Sequence, residues 1–224
     1  MSISAAELVA SRKHILLDFD GPICAAFAGY GAENISRQLA TLIAMEGVDV
    51  PVELLDSCDP FELLHYAAAT GDADLLTDVA AEFQRLEVLA AQIAPATPGA
   101  ADVVERLVKR GHSVTVVSNN SLEAVQLYAR RHRLSEVIAG VEARTEADPS
   151  LLKPNPHLLL NALNARGGSA SDSLMIGDST FDVEAARHVG IPVIALANDP
   201  AKRYELLRAL PDAMISEVTE LIGT

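Results

Sequence analysis

Four short segments carry residue types whose spacing could do chemistry. Asp18-Phe19-Asp20-Gly21 follows an apolar run at 15–17 and sets two carboxylates two residues apart. Like charges that close repel, and one metal ion would convert the repulsion into attraction. Gly21 makes cheap the turn that lets both face one crevice, although Asp is also a good turn former in its own right. Ser118-Asn119-Asn120-Ser121 closes a second β-rich run just ahead of a helix. A hydroxyl and exposed backbone N–H groups there make an anion site, or else Ser and Asn only cap the helix. Lys153-Pro154-Asn155-Pro156 sets one of the chain's four lysines in a segment that proline holds extended. Its ammonium could neutralise a phosphate as a point charge, or sit solvated in a loop. Gly177-Asp178-Ser179-Thr180-Phe181-Asp182 ends a further apolar run. Asp178 falls in the turn and Asp182 one helical turn later, a spacing that brings both to one ion unless Asp178 is a cap.

These segments need elements to position them. Short β-rich runs at 14–19, 113–118, 136–141, 173–177, 191–196 and 212–216 alternate with amphipathic patterns at 100–110, 122–132, 156–165, 181–189 and 200–210. Strand and helix in turn predict an α/β fold, a doubly wound parallel sheet with helices on both faces. In such sheets ligands sit at the carboxyl ends of the strands, where all four segments fall. The stretch 22–95 differs: its apolar residues recur at helical spacing over 32–46, 60–69 and 72–92. It holds 12 acidic residues against Arg37 and Arg85, a net of -10 out of the chain's -14. The expected organisation is thus a core of 1–21 and 96–224, split after its first strand by a helical subdomain at 22–95.

Capping does not ask for three or four carboxylates, a hydroxyl and a lysine at four strand ends of one sheet. In this order the segments resemble the motifs of the haloacid dehalogenase-like superfamily: DFDG its first, VVSN its second, KPNP its third and GDSTFD its fourth. Pro98-Gly99 before a helix, AARHVG at 185–190 and PDAMISEVTEL near the end resemble its phosphoglycolate phosphatase and β-phosphoglucomutase branch. In that branch a helical cap interrupts a Rossmann-like core straight after the first motif. The branch commonly has Thr after the DxDG glycine and Asp a few residues on; Pro22 and Ala25 stand here instead, a departure that bears on substrate rather than chemistry. The resemblance implies a phosphatase acting on a small phosphorylated metabolite. Asp18 would be the nucleophile, and Asp20 the acid and base. Mg2+ would be held by Asp18, the Asp20 carbonyl and Asp178, with Asp182 in support. Ser118 and Asn119 would hold the phosphoryl oxygens, and Lys153 would offset charge. A phosphomutase keeps the same motifs, and a non-catalytic phospho-acceptor is the alternative of another class.

Composition narrows the rest. Only 17 basic residues against 31 acidic ones argue against a nucleic-acid binder. The first apolar run is cut off by Asp18, which predicts neither a signal-peptide core nor a membrane span. Two cysteines, Cys24 and Cys58, are too few for a disulfide scaffold and make a reduced cytoplasm the expected setting. Cys24, just past the first motif, is expected to be a small apolar filler more than an oxidant sensor. Six histidines show no metal-ligand spacing. Arg37 and Arg85 each follow a glutamate at helical distance, Glu33 and Glu82, so both are expected on a solvated face. Tyr30, Asn34, Gln38, Thr41, His65 and Tyr66 remain as polar groups of the insert. They suit a neutral, hydroxyl-bearing leaving group better than a second anion.

Overall fold

The structure is a computed structural model and describes residues 4–223; residues 1–3 and Thr224, the outermost residues of the expected core, lie outside the described residues. Strands β1 (His14–Leu17), β2 (Ser113–Ser121), β3 (Gly140–Arg144), β4 (Ser173–Gly177), β5 (Val193–Leu196) and β6 (Ala213–Ile215) form one sheet in the order β3-β2-β1-β4-β5-β6. Every neighbouring pair is parallel. All four residues of β1 are buried, because helices cover both faces of the sheet. Ile15 and Leu17 pack with α6 (Ala100–Lys109) and α7 (Leu122–Arg131), while Leu16 faces α8 (His157–Arg166) and α9 (Thr180–His188). The helix α10 (Pro200–Ala209) joins that second layer through Leu206. Strand order reverses beside β1, which opens a crevice at its carboxyl end. Register pairs Leu17 with Val116 and with Ile176, so Asp18 emerges at the level of Val117 in β2 and of Gly177, the last residue of β4.

Between β1 and α6 run four helices, α2 (Ala32–Met45), α3 (Val52–Leu55), α4 (Pro60–Ala69) and the long α5 (Ala73–Ile93). They build an apolar cluster of their own around Ile35, Leu39, Leu63, Leu64 and Phe83. Asp59 and Asp72 start the third and fourth of these helices by accepting first-turn N–H bonds. The long helix Ala73–Ile93 serves two bodies. Val79, Phe83 and Leu86 belong to the insert's cluster, whereas Ala91 belongs to the core's, and the helix lies along α7.

Three elements differ from expectation. A capping box between Ser4 and Glu7 starts a short helix, α1 (Ala5–Ala10), that the pattern did not reveal. The one-turn helix Val52–Leu55 is likewise too short to show a period. The third strand was expected at 136–141 and runs instead over Gly140–Arg144. Val137 and Ile138 both donate to the Leu134 carbonyl, which makes their apolar run a turn packed on the core rather than a strand. The true strand was hidden because it ends in Arg144, a charged residue that is nonetheless buried.

Candidate active site

Asp18 ends β1 almost fully buried, and its Oδ1 accepts from the Phe19 N–H at 2.7 Å and from the Lys153 ammonium at 2.8 Å. Lys153 comes from the loop before α8. Its remaining bonds go to Asp182 Oδ1 at 2.7 Å and to the Val117 carbonyl at 3.1 Å. Burial by itself would favour loss of the lysine proton, but Asp18 and Asp182 outweigh it and hold Lys153 firmly as an ammonium. Asp182, wholly buried in the first turn of α9, turns its other oxygen to the backbone N–H and hydroxyl of Ser179. The Ser179 hydroxyl in turn accepts the Asp182 backbone N–H at 3.3 Å and caps this helix, so Asp178 is left facing the crevice.

The carboxylates of Asp18, Asp178 and Asp182 each offer an oxygen within 4.8 Å of the others. Such crowding needs close backbone approach, and two glycines allow it. A Cβ on Gly21, at φ 94°, would stand 2.4 Å from Asp178 Cγ, and one on Gly177 would stand 2.2 Å from Asp182 Cγ. Hard oxygen donors at this spacing suit a small divalent cation such as Mg2+. Both Asp182 oxygens are engaged by Ser179 and Lys153, which leaves Asp18 and Asp178 better placed to offer one.

The charges leave their mark on proton affinity. Burial, then the neighbouring charges of Asp182 and Asp178, hold the Asp18 carboxyl well above the ordinary range against the pull of Lys153. Burial lifts Asp20 as well, although its Oδ1 accepts the Ala26 N–H at 2.7 Å. Asp178 is raised to about 6, again chiefly by burial. The opposing charge is Lys202, whose ammonium lies 2.6 Å from Asp178 Oδ2. Lys202 was not expected in the site. Its signal was available, since it sits in the first turn of the helix after β5, a fifth strand end at the same crevice.

Ser118 and Asn119 also reach this crevice, but each has a prior engagement. The Ser118 hydroxyl donates to Asn120 Oδ1 at 3.1 Å, so a phosphoryl oxygen would have to take that proton over. The Asn119 side chain brackets the Lys153 backbone, accepting its N–H at 2.8 Å and donating to its carbonyl at 3.0 Å. Ser121, not Ser118 or Asn119, occupies the helix-cap position, and its side chain makes no cap bond. Cys24 is fully buried, and burial together with Asp20 and Asp18 pushes its thiol up, away from the reactive thiolate.

The crevice measures about 960 Å³ and runs from these core residues to the insert, which contributes Phe27, Phe61, Asp59, Glu62 and His65. Arg37 and Arg85 do not reach it. They line a separate groove on the insert, paired with Glu33 at 2.5 Å and Glu82 at 2.7 Å. Of the six polar residues expected to face a leaving group, only His65 lines the crevice. Tyr66 donates instead to the Asp49 carbonyl and Thr41 to the Arg37 carbonyl, each satisfying backbone nearby.

Residues 60–196 match the haloacid dehalogenase-like hydrolase family, a stretch that includes Ser118, Asn119, Lys153, Asp178 and Asp182 but begins after β1. The chain belongs to that family. It is 32% identical over 126 residues to a phosphoglycolate phosphatase of Synechococcus elongatus, covering 56% of this chain and 57% of that protein. A pyrophosphatase, PpaX, of Bacillus cereus is 26% identical over 121 residues, with 54% and 55% covered. The chain spans about half the length of the relatives it matches. The fold of CbbY from Rhodobacter sphaeroides, solved in complex with phosphate, superposes with a TM-score of 0.69 at 21% identity, covering 94% of this chain and 96% of that one. Among the described residues no helix is long and apolar enough to cross a membrane.

A carboxyl with raised proton affinity in the folded state binds its proton more tightly there than in the unfolded chain. Its ionisation therefore costs stability as pH rises from about 4 through about 6. In EDTA, the melting temperature of Asp178→Asn should gain on that of the wild type as pH rises over this window, followed by differential scanning fluorimetry. A gain that stays constant or shrinks with rising pH would contradict the assignment of Asp178 as a strained carboxylate.

Proposed function

We propose that the chain is a Mg2+-dependent phosphatase that hydrolyses a small phosphorylated metabolite through a covalent phosphoryl intermediate on Asp18. The observation that carries this is the Asp18 carboxylate at the end of β1, held by Lys153 with Asp178 and Asp182 close by. One oxygen of Asp18 is engaged by Phe19 N–H and Lys153, so the other is left to attack phosphorus. The phosphorus–oxygen bond to the leaving group breaks as that oxygen takes a proton from Asp20, whose raised proton affinity fits the part. Asp20 then removes a proton from the water that attacks the aspartyl phosphate, releasing inorganic phosphate and restoring Asp18. Lys153 offsets charge on Asp18 throughout, and Ser118 with the Asn119 backbone would hold phosphoryl oxygens. Mg2+ would be held by Asp18, the Asp20 carbonyl and Asp178, with Asp182 in support, and when bound it would neutralise charge on the phosphoryl group. Two free cysteines support a cytoplasmic setting.

The insert side of the crevice supports a narrower substrate class. It presents Asp59 and Glu62, and no Arg or Lys of the insert lines it. Lys202 is the second cation there, and it is paired with Asp178. A leaving group with its own carboxylate or phosphate would meet like charge, so the expected substrate is a monophosphate whose leaving group is neutral and polar. The names of the relatives point to phosphoglycolate and pyrophosphate, which both carry a second anionic group.

Asp18→Asn should keep the wild-type melting temperature within a few degrees and lose turnover by about a thousandfold or more, as for other covalent nucleophiles. Turnover within about tenfold of wild type would refute the scheme. In a panel of phosphate esters, sugar or polyol phosphates should exceed phosphoglycolate in kcat/KM by about tenfold or more, and Arg37→Ala should leave every rate within about twofold. A panel led by phosphoglycolate, with activity collapsing in Arg37→Ala, would make Arg37 a specificity residue and overturn this substrate class.

A further inference from the structure

Glu87 and Arg144 form an ion pair that neither lines the crevice nor faces solvent. Glu87 is 2% exposed on the long helix Ala73–Ile93, and Arg144 is 5% exposed at the end of β3. Burying two opposite charges gains little over an apolar pair of the same size unless the remaining donors and acceptors are satisfied. Here they are satisfied, and the partners have a pattern. Besides Arg144, the Glu87 carboxylate accepts from Asn120 Nδ2 at 3.1 Å and from the Ser121 N–H at 3.2 Å. Besides Glu87, the Arg144 guanidinium donates through Nε to the Asn119 carbonyl at 3.2 Å and lies over the Phe83 ring at 4.8 Å. Every additional hydrogen bond of the pair goes to residues 119–121. That is where β2 and β3 lose register, between Ser118 and Ser121, and where neither strand can hold the backbone by sheet pairing alone.

The orientation is passed on. With its Nδ2 fixed on Glu87, Asn120 can only present Oδ1 to the Ser118 hydroxyl, and it does so at 3.1 Å. With its carbonyl fixed on Arg144, Asn119 keeps its side chain on the Lys153 backbone, and Lys153 in turn holds Asp18. A filler role would be met by two apolar side chains and would not converge on one loop.

We propose that Glu87 and Arg144 are a positioning pair that sets the 118–121 loop to receive a phosphoryl group and ties phosphate binding in the core to the long helix of the insert. This rests on Ser118 and Asn119 being the phosphate-holding groups. Inorganic phosphate, titrated calorimetrically with Mg2+ present, reads the loop directly. Arg144→Lys keeps the charge beside Glu87 but loses the fork that serves Glu87 and Asn119 together. The double variant Glu87→Leu with Arg144→Met replaces the pair by apolar groups of similar volume. Both should bind phosphate at least about tenfold more weakly than wild type, the loss expected for hydrogen bonds to charged groups. KM should rise by a similar factor while kcat changes less. Either variant with native near-UV circular dichroism and phosphate affinity within about twofold of wild type would overturn the proposal. Wild-type protein supplies a reading free of folding defects: phosphate should slow amide exchange at Ser121 and along the helix around Glu87. Exchange on that helix unchanged by phosphate would likewise overturn it. Wild-type protein that neither binds phosphate nor hydrolyses any phosphate monoester would fail the phosphatase assignment, and the pair's role would fall with it.

Discussion

Three buried carboxylates crowded at the end of one parallel sheet are the constraint to which the rest of the site answers. At an effective dielectric of about 20, two unit charges about 4 Å apart interact by about 4 kcal/mol. Three such repulsions approach the whole stability of an ordinary domain, about 5–15 kcal/mol. Lys153 makes the arrangement tenable by donating to Asp18 and Asp182 at once, and Lys202 does the same for Asp178. The leftover negative charge is what a divalent cation would relieve, and after burial it also raises the proton affinities of Asp18 and Asp178. One unfavourable cluster thus links fold, metal affinity and proton chemistry.

Backbone and second-layer contacts follow from that cluster. Gly21 and Gly177 exist as glycines because any Cβ would collide with Asp178 or Asp182. Ser179 caps α9 and, by the same bonds, holds Asp182 turned toward Lys153. Asn119 clasps the Lys153 backbone, and the Glu87–Arg144 pair fixes Asn119 and Asn120 from below. The insert accordingly does more than cover the crevice. Its last helix lies on α7 and enters the hydrogen-bond network of the core loop, while its first three helices carry the wall that faces a leaving group.

How much of this was legible in the sequence depended on how far apart the partners lie. Asp18, Lys153, Asp178 and Asp182 announce themselves because each stands beside a strand end or a helix start that local periodicity marks. Arg37 and Arg85 could be set aside from spacing alone, since their partners sit three or four residues away on the same helix. Glu87 and Arg144, 57 residues apart, could not be paired, and each alone reads as a solvated charge. That also displaced the third strand, because a run ending in Arg looks like a loop until its counter-ion is known. Lys202 escaped because its helix reads as an ordinary amphipathic segment, with nothing local to tie it to Asp178, 24 residues earlier. For Tyr30, Asn34, Gln38, Thr41, His65 and Tyr66, helical periodicity marks the faces but not which face meets the crevice, and of these six only His65 meets it.

Covalent bonding of Asp18 to phosphorus is the step on which the phosphatase assignment stands. The most direct measurement is rapid acid quenching of the protein during turnover of a phosphate monoester with Mg2+, followed by mass spectrometry of its peptides. One added phosphoryl group is expected on the peptide containing Asp18, formed within the first turnover and absent in Asp18→Asn. Turnover at full rate with no phosphoryl group on that peptide at any time point would contradict it.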